Sequence, residues 1–172
     1  MLSTRGGHHY LNGGLYQDGS FSKLLNPSSS ILTPDNLYIK ISLTSWDTRL
    51  KLILEKCWAT PNSNPSNPLQ YTFINNFCPD DYEYNIQKSI FIYNNGASKS
   101  SSFSLRSFTW QGEAESVIYF HCLASICDQQ TSSCIPQCNN RKRRGARTFK
   151  QKRQTLIQTQ KISVGPIYIN NK

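Results

Sequence analysis

The chain has 172 residues, a formal net charge of +9 and six cysteines, which allows one domain of ordinary size and leaves little room for two. Up to Cys138 its nine Lys and Arg residues are outnumbered by ten Asp and Glu residues, whereas the last 34 residues hold ten basic residues and no acidic ones. The body is therefore nearly neutral, which argues against a nucleic-acid or membrane-surface role for it.

In chain order, the first region is residues 1–35, whose many Gly, Ser, Asn and Pro residues predict a tail or linker. The run LYIKISL then alternates as a half-buried strand does, with one face formed by Leu37, Ile39, Ile41 and Leu43. Further strand-like runs are RLKLILEKCW, LQYTFINNF, IQKSIFIY, SFSLRSFTW and SVIYFHCLASIC, and turn sequences such as PNSNPSNP and YNNGAS separate them. No helical period is convincing, so the sequence predicts an all-β antiparallel sandwich.

The cysteine content, and a search for a signal peptide or a membrane span, indicate the cellular compartment of the chain. Six cysteines beside a single methionine favour three disulfides and an oxidising environment. Zinc is the competing interpretation, but the spacing C-x4-C-x6-C-x3-C of the last four cysteines lacks the paired C-x2-C knuckles of common zinc sites. No signal peptide and no transmembrane span is recognisable. Either the chain is cytosolic, or it is a fragment of a secreted or cell-surface protein without its signal peptide and anchor; the cysteines favour the fragment.

The segment after the last cysteine contains the basic run Arg141, Lys142, Arg143 and Arg144. It fits the form R-x-[KR]-R that subtilisin-like proprotein convertases cut after the final arginine, because carboxylates in their cleft complement several guanidinium groups. A nucleic-acid interface or a nuclear-localisation signal is the alternative. Only Phe149 lies close enough to stack on bases, and nuclear import conflicts with disulfides. We therefore predict a cleavage site, followed by a polar stretch and the apolar run ISVGPIYI at 162–169.

Catalytic chemistry is not indicated. His8 and His9 lie in the glycine-rich N-terminal region, and His121, inside the run VIYFHC, has the setting of a structural residue. The paired carboxylates at 80–81 and 113–115 resemble solvated turn residues, and no nucleophile elbow, phosphate-binding loop or zinc-protease motif is present. The sequence predicts no enzyme, no cofactor and no metal site.

Two stretches resemble the C-terminal half of a zona pellucida (ZP) module, namely LEKCWATPNSNPSNPLQYTFINNFCP and VIYFHCLASICDQQTSSCIPQCNNRKRR. They share C-[WY]-A-T-P, an N-x-C-P-like element, V-x-Y-x-H-C, and C-D-x5-C-x3-C before a basic site. The resemblance covers about Leu37 to Ile169. It is strongest to the branch of uromodulin and the pancreatic secretory granule membrane glycoprotein, whose half-module also carries six cysteines.

This resemblance implies an immunoglobulin-like ZP-C sandwich stapled by the disulfides Cys57–Cys122, Cys78–Cys138 and Cys127–Cys134. It also implies a division of the chain. Residues 1–35 would be the end of a ZP-N half and the interdomain linker, 36–140 the ZP-C domain, 141–144 the cleavage site, and 145–172 a C-terminal propeptide.

The resemblance further implies a polymerisation mechanism. An external hydrophobic patch fills the sandwich as a strand until the precursor is cut, and it would comprise Ile162, Val164, Gly165, Pro166, Ile167 and Ile169. An internal hydrophobic patch would comprise Leu37, Ile39, Ile41 and Leu43. The expected partners are other copies of the chain or other ZP proteins, in head-to-tail contact, and a proprotein convertase or similar serine protease. The alternatives are a recognition ectodomain that the same cleavage sheds, and two ordinary core strands.

Overall fold

A computed structural model of the protein describes residues 2–4, 7–129, 133–138 and 155–171. Within these ranges the chain forms eleven strands and one short π-helix, Tyr82–Gln87. The strands are β1 Leu2–Thr4, β2 Gly7–Tyr16, β3 Ser30–Leu32, β4 Asn36–Thr44, β5 Leu50–Thr60, β6 Tyr71–Asn75, β7 Cys78–Pro79, β8 Ile90–Asn94, β9 Ser100–Arg106, β10 Glu115–Asp128 and β11 Thr155–Asn170. No helix in the described ranges has the length and apolar character that crossing a membrane requires.

The strands form two sheets that face each other across one core. The first sheet has the order β1-β2-β4-β9-β8, and the second has the order β3-β11-β10-β5-β6-β7. Neighbouring strands are antiparallel except for β3 and β11, which are parallel. The prediction of an all-β, immunoglobulin-like antiparallel sandwich is therefore confirmed.

The core follows from the alternation of apolar residues along the strands. On β4 every second side chain is buried, as the run LYIKISL predicts. Phe73 of the second sheet lies with its ring centroid 5.4 Å from that of Phe103 in the first sheet and 5.4 Å from that of Phe120. Since all three rings are fully or almost fully buried, they join the two sheets at the centre of the molecule.

All six cysteines are bonded, in the pairing that the resemblance implies. Cys57 of β5 and Cys122 of β10 are directly opposite each other, so this disulfide joins two neighbouring strands of one sheet. The other two disulfides, Cys78–Cys138 and Cys127–Cys134, lie near the end of β10 and hold the segment that follows it.

Two regions are more ordered than their composition indicates. Inside residues 1–35, β2 pairs with β4 and β3 pairs with β11, although Gly and polar residues predominate there. The C-terminal strand begins at Thr155 rather than at the apolar run starting at Ile162, because its polar first half pairs with the second half of β10. Both regions are ordered by partners that are distant in sequence; the predicted domain boundaries themselves stay a prediction.

The turn between β8 and β9 also fastens the first sheet to the second. The Asn95 side-chain oxygen accepts hydrogen bonds from the Leu54 backbone N–H at 2.7 Å and the Ser101 hydroxyl at 3.2 Å. Its amide nitrogen donates to the carbonyls of Leu54 and Phe77, each at 3.3 Å. Gly96 follows with a φ of +91°, a conformation that L side chains rarely adopt.

An Asn95→Ala substitution is expected to lower the free energy of unfolding by about 2 kcal/mol, because it leaves the Leu54 N–H and carbonyl without their side-chain partner. Urea denaturation measures the change. Asn64→Ala is the matched control, since the exposed Asn64 side chain accepts only a local bond from the Ser66 N–H. Equal losses in the two variants would show that Asn95 does not tie the sheets together.

Candidate functional site

The C-terminal strand β11 fills a groove along the second sheet. On one side it pairs with β10 from Asn170 opposite Glu115 to Thr155 opposite Asp128. On the other side, its pairing among the described residues is with the three residues of β3, Ser30–Leu32. Most of the backbone hydrogen bonding that holds β11 in the sheet therefore comes from β10.

The predicted external patch lies on β11, and four of its six residues pack against the core. Ile167 and Ile169 are 3% and 0% exposed. Ile162 and Val164 are half-buried against the core and lie across from Gly13 of β2, where a Cβ atom would be 2.9 Å from the Val164 side chain. The strand thus contributes apolar surface to the sandwich along most of its second half.

Gly165 and Pro166 of this patch have a different role, since both are exposed. The ladder between β10 and β11 is irregular here, between Ile118 and Phe120. Gly165 has a φ of +148°, and a Cβ atom at this position would lie 3.0 Å from the Ile118 carbonyl oxygen. Only glycine fits this backbone and this close approach.

The predicted internal patch lies in the other sheet. Its four residues on β4 are each at most 4% exposed and belong to the same core as Ile167 and Ile169. Because β4 lies between β2 and β9, both of its edges are paired. The structure therefore brings the two patches together across one core, in opposite sheets.

A buried polar side chain on β10, His121, connects β11 on one side of it to β5 on the other. His121 of β10 is 0% exposed and lies in register with Trp58 of β5 and Ser163 of β11. Its Nε2 is 2.7 Å from the Thr60 hydroxyl, and its Nδ1 is 2.7 Å from the Ser163 hydroxyl. The Trp58 ring centroid lies 5.6 Å from that of the imidazole. Burial and, secondly, the positive charge of Lys161 lower the pKa of His121 from its ordinary 6.5.

Further along the ladder, Ser125 of β10 and Thr159 of β11 share a hydrogen bond of 2.6 Å between their hydroxyls. The sequence interpretation assigned His121 a structural setting and missed both polar pairs. The sequence does contain a signal for a polar strand face in this region. Every second residue there is polar, namely Thr159, Lys161 and Ser163, and such residues share one face of a strand.

The predicted cleavage residues, Arg141, Lys142, Arg143 and Arg144, lie outside the described residues. The described chain stops at Cys138, which is bonded to Cys78, and resumes at Thr155. The Cys138 sulfur lies 3.9 Å from the Phe77 carbonyl oxygen, and Leu156 packs against the cluster that contains Phe77. Both ends of the intervening segment are thus anchored at the same part of the sandwich.

An aromatic cleft of about 440 Å³ lies between β8, the last strand of the first sheet in the described part of the chain, and the segment 135–138. Its wall includes four exposed apolar side chains, each between 44% and 56% exposed: Tyr84, Phe91, Tyr93 and Ile135. Open aromatic surface of this kind commonly marks an interaction site.

The candidate acid and base residues show no catalytic arrangement where they are described. Asp80 accepts a hydrogen bond from the Glu83 backbone N–H, and Glu113 accepts one from the Ser116 hydroxyl, so both carboxylates take part in turn structure. The described ranges also contain no group of three or more His, Cys, Asp or Glu side chains able to hold a metal ion.

Three curated proteins illustrate what this chain is similar to in sequence. Pancreatic secretory granule membrane major glycoprotein GP2 of Mus musculus is 32% identical over 135 residues, covering 77% of this chain and 24% of that protein. Uromodulin-like 1 of Homo sapiens is 34% identical over 112 residues, covering 64% of this chain and 8% of that protein. Uromodulin of Rattus norvegicus is 29% identical over 155 residues, covering 89% of this chain and 22% of that protein. The chain thus spans a quarter or less of the length of these relatives.

The family comparison covers most of the sandwich. The family model for the zona pellucida ZP-C domain matches residues 7–139, which include every strand from β2 to β10. This range also contains all six cysteines of the three disulfides. The chain therefore belongs to the zona pellucida family.

Proposed function

We propose that this chain is part of a non-enzymatic, extracellular structural protein, in which cleavage after Arg144 frees β11 and allows the ZP-C domain to assemble into filaments or matrix. The observation that carries the proposal is the position of β11. It is a complete strand of the sandwich core. Its covalent link to the disulfide-bonded body, however, runs through the segment that contains the basic run.

Removal of β11 would have a defined physical consequence. It would expose the unpaired backbone N–H and C=O groups of β10 and the apolar surface that Ile167 and Ile169 cover. Such an edge is sticky, and an apolar strand from another molecule can restore the sheet by β-augmentation. While β11 stays in place it prevents this contact and keeps the precursor monomeric.

The contact between two molecules would be heterologous, since a strand of one copy enters the groove of the next. Repeated head to tail, a heterologous contact that does not close builds a filament. We propose as partners other copies of the chain or other ZP proteins, and as the activating partner a proprotein convertase or similar serine protease. Both this assembly and the extracellular location are proposals about the whole protein.

The combined substitution Arg143→Ala and Arg144→Ala is expected to abolish cleavage and assembly of the full-length precursor in secreting cells. Without these guanidinium groups the acidic cleft of the protease loses its main contacts, and β11 stays in the groove. Mass spectrometry of the C-terminus and electron microscopy of the medium measure the two effects.

Lys150→Ala with Lys152→Ala is the matched control, because it removes two positive charges from the same segment and leaves the motif intact. Cleavage and filaments should both be retained in this variant. Wild-type protein that keeps residues 162–169 and still forms filaments would exclude release of β11 as the trigger.

The aromatic cleft at β8 favours a second candidate function, a secreted or cell-surface recognition ectodomain that the same cleavage sheds. Tyr84, Phe91 and Tyr93 offer aromatic faces to a ligand without any change in the sandwich. The same experiment separates the two functions, because a shed ectodomain would be cleaved after Arg144 and remain monomeric.

A further inference from the structure

The groove that holds β11 contains a polar determinant for the strand it accepts, an inference that rests on the proposed function and deepens it. We propose that His121 selects a strand that presents a hydroxyl side chain directly opposite it, and that the neutral imidazole is the form that retains that strand. In the structure this hydroxyl belongs to Ser163.

The hydrogen bonds around His121 determine its tautomer. The Thr60 hydroxyl donates to the Asn62 carbonyl at 2.6 Å, and this uses its single hydrogen. Thr60 must therefore accept a hydrogen bond from Nε2–H of His121 over the 2.7 Å contact. A neutral imidazole then has its lone pair on Nδ1, and this lone pair accepts the hydrogen of the Ser163 hydroxyl.

The selection of a hydroxyl follows from this arrangement. An apolar side chain opposite His121 would remove the donor to Nδ1 and cover that atom with apolar surface, which is costly. Lysine at this position would place a further positive charge beside the ring, next to that of Lys161. The Ser125 and Thr159 pair repeats the requirement four positions away, so the groove favours a strand of the pattern hydroxyl-x-x-x-hydroxyl.

Burial and, secondly, the positive charge of Lys161 make protonation of the His121 ring unfavourable. Lys56 of β5 and Lys161 of β11 both lie opposite Leu123, two residues along β10 and therefore on the same face as His121. Lys56 Nζ is also 5.2 Å from the centroid of the Trp58 ring, which covers the imidazole. The remaining charged residues of these three strands are Lys51, Glu55, Glu115 and Asp128.

The direction of the pH effect follows from the lowered pKa of His121, whose causes are burial first and Lys161 second. When β11 leaves, the ring regains access to water and its pKa returns toward 6.5. The detached state then binds the proton more readily than the docked state. Docking is therefore at full strength above pH 6.5 and weakens as the pH falls from there toward the lowered pKa.

Hydrogen exchange of the intact, uncleaved chain tests the inference. The protection of β11 amides is divided by that of β4 amides in the same sample, which cancels the intrinsic pH dependence of exchange. The key comparison is Ser163→Thr with Ser163→Val, because these side chains have nearly the same shape and differ in the hydroxyl. At about pH 7.5 we expect Ser163→Thr to match the wild type and Ser163→Val to lose about fivefold in relative protection.

A third variant, Ser163→Asp, tests the protonation step. In the wild type, relative protection should fall between about pH 7.5 and about pH 5.5, whereas a carboxylate opposite His121 stabilises the imidazolium and should make protection rise. Ile157→Asp places the same charge on an exposed position of β11 away from His121 and should keep the wild-type direction.

Equal protection in Ser163→Thr and Ser163→Val, or a fall at low pH in Ser163→Asp like that of the wild type, would overturn the inference. Because the chain is never cut, either result leaves the cleavage-dependent assembly untouched. A failure of the proposed function would instead appear as filaments formed by uncleaved protein, whatever Ser163 does.

Discussion

An Ile169→Asp substitution is expected to detach β11 from the sandwich without any cleavage. Ile169 is 0% exposed and pairs with Ser116 of β10 and Ile31 of β3, so it lies where β11 is held on both sides. A carboxylate there must either be buried without a partner or pull the strand into water. We expect docking of β11 to weaken by about 4 kcal/mol. Binding of a hydrophobic fluorescent dye and hydrogen exchange of β10 measure the exposed groove.

Tyr168→Asp is the matched control, because Tyr168 is the neighbouring residue of the same strand and is 40% exposed. This variant adds the same charge on the solvent side and should bind no more dye than the wild type. If Ile169→Asp keeps β10 protected from exchange, β11 is not required to cover the core. If both variants expose the groove, added charge on the strand would be responsible rather than burial at Ile169.

Removal of the disulfide between Cys57 and Cys122, by Ala at both positions, is expected to lower the free energy of unfolding by about 4 kcal/mol. The two cysteines are 65 residues apart in sequence, so the bond removes many conformations from the unfolded chain. Urea denaturation measures the loss. This disulfide joins β5 to β10, so we expect β10 to be less well held as the partner of β11 too.

The disulfide Cys127–Cys134 provides the control for the loop-closure argument, since its cysteines are only seven residues apart. Its removal should cost roughly 2.5 kcal/mol, clearly less than the loss of Cys57–Cys122. Equal losses from the two bonds would mean that restriction of the unfolded chain is not the main source of their stabilisation.

The body of the sandwich and β11 are held in place by different kinds of interaction. The disulfides hold β5, β7, β10 and the segment after β10, whereas β11 is held by backbone pairing, apolar burial and two hydroxyl contacts. No disulfide crosses from β11 to the body, because all six cysteines are bonded before residue 139. The proposed function requires that a strand held in this way leaves while the disulfide-bonded body stays folded.

Much of the sandwich could be predicted because a strand that is buried on one face has apolar residues at every second position. The alternation at 37–43 and the apolar runs at β5 and β10 report burial directly. Residues such as Gly13 gave no such signal, since β2 is ordered by pairing with β4 and by close packing against Val164. The polar first half of β11 was missed for the same reason, because its order depends on β10.

In the groove, too, some features could be predicted from the sequence and others could not. By itself the sequence determined the class of fold, the apolar strands, the basic run and, through its resemblance to ZP modules, the disulfide pairing. Only the tertiary structure decided that β11 lies between β10 and β3, that the two patches share one core in opposite sheets, and that His121 bonds Thr60 and Ser163. The physical reason is that alternation is a local property of one strand, whereas pairing and buried hydrogen bonds depend on residues far apart in the chain.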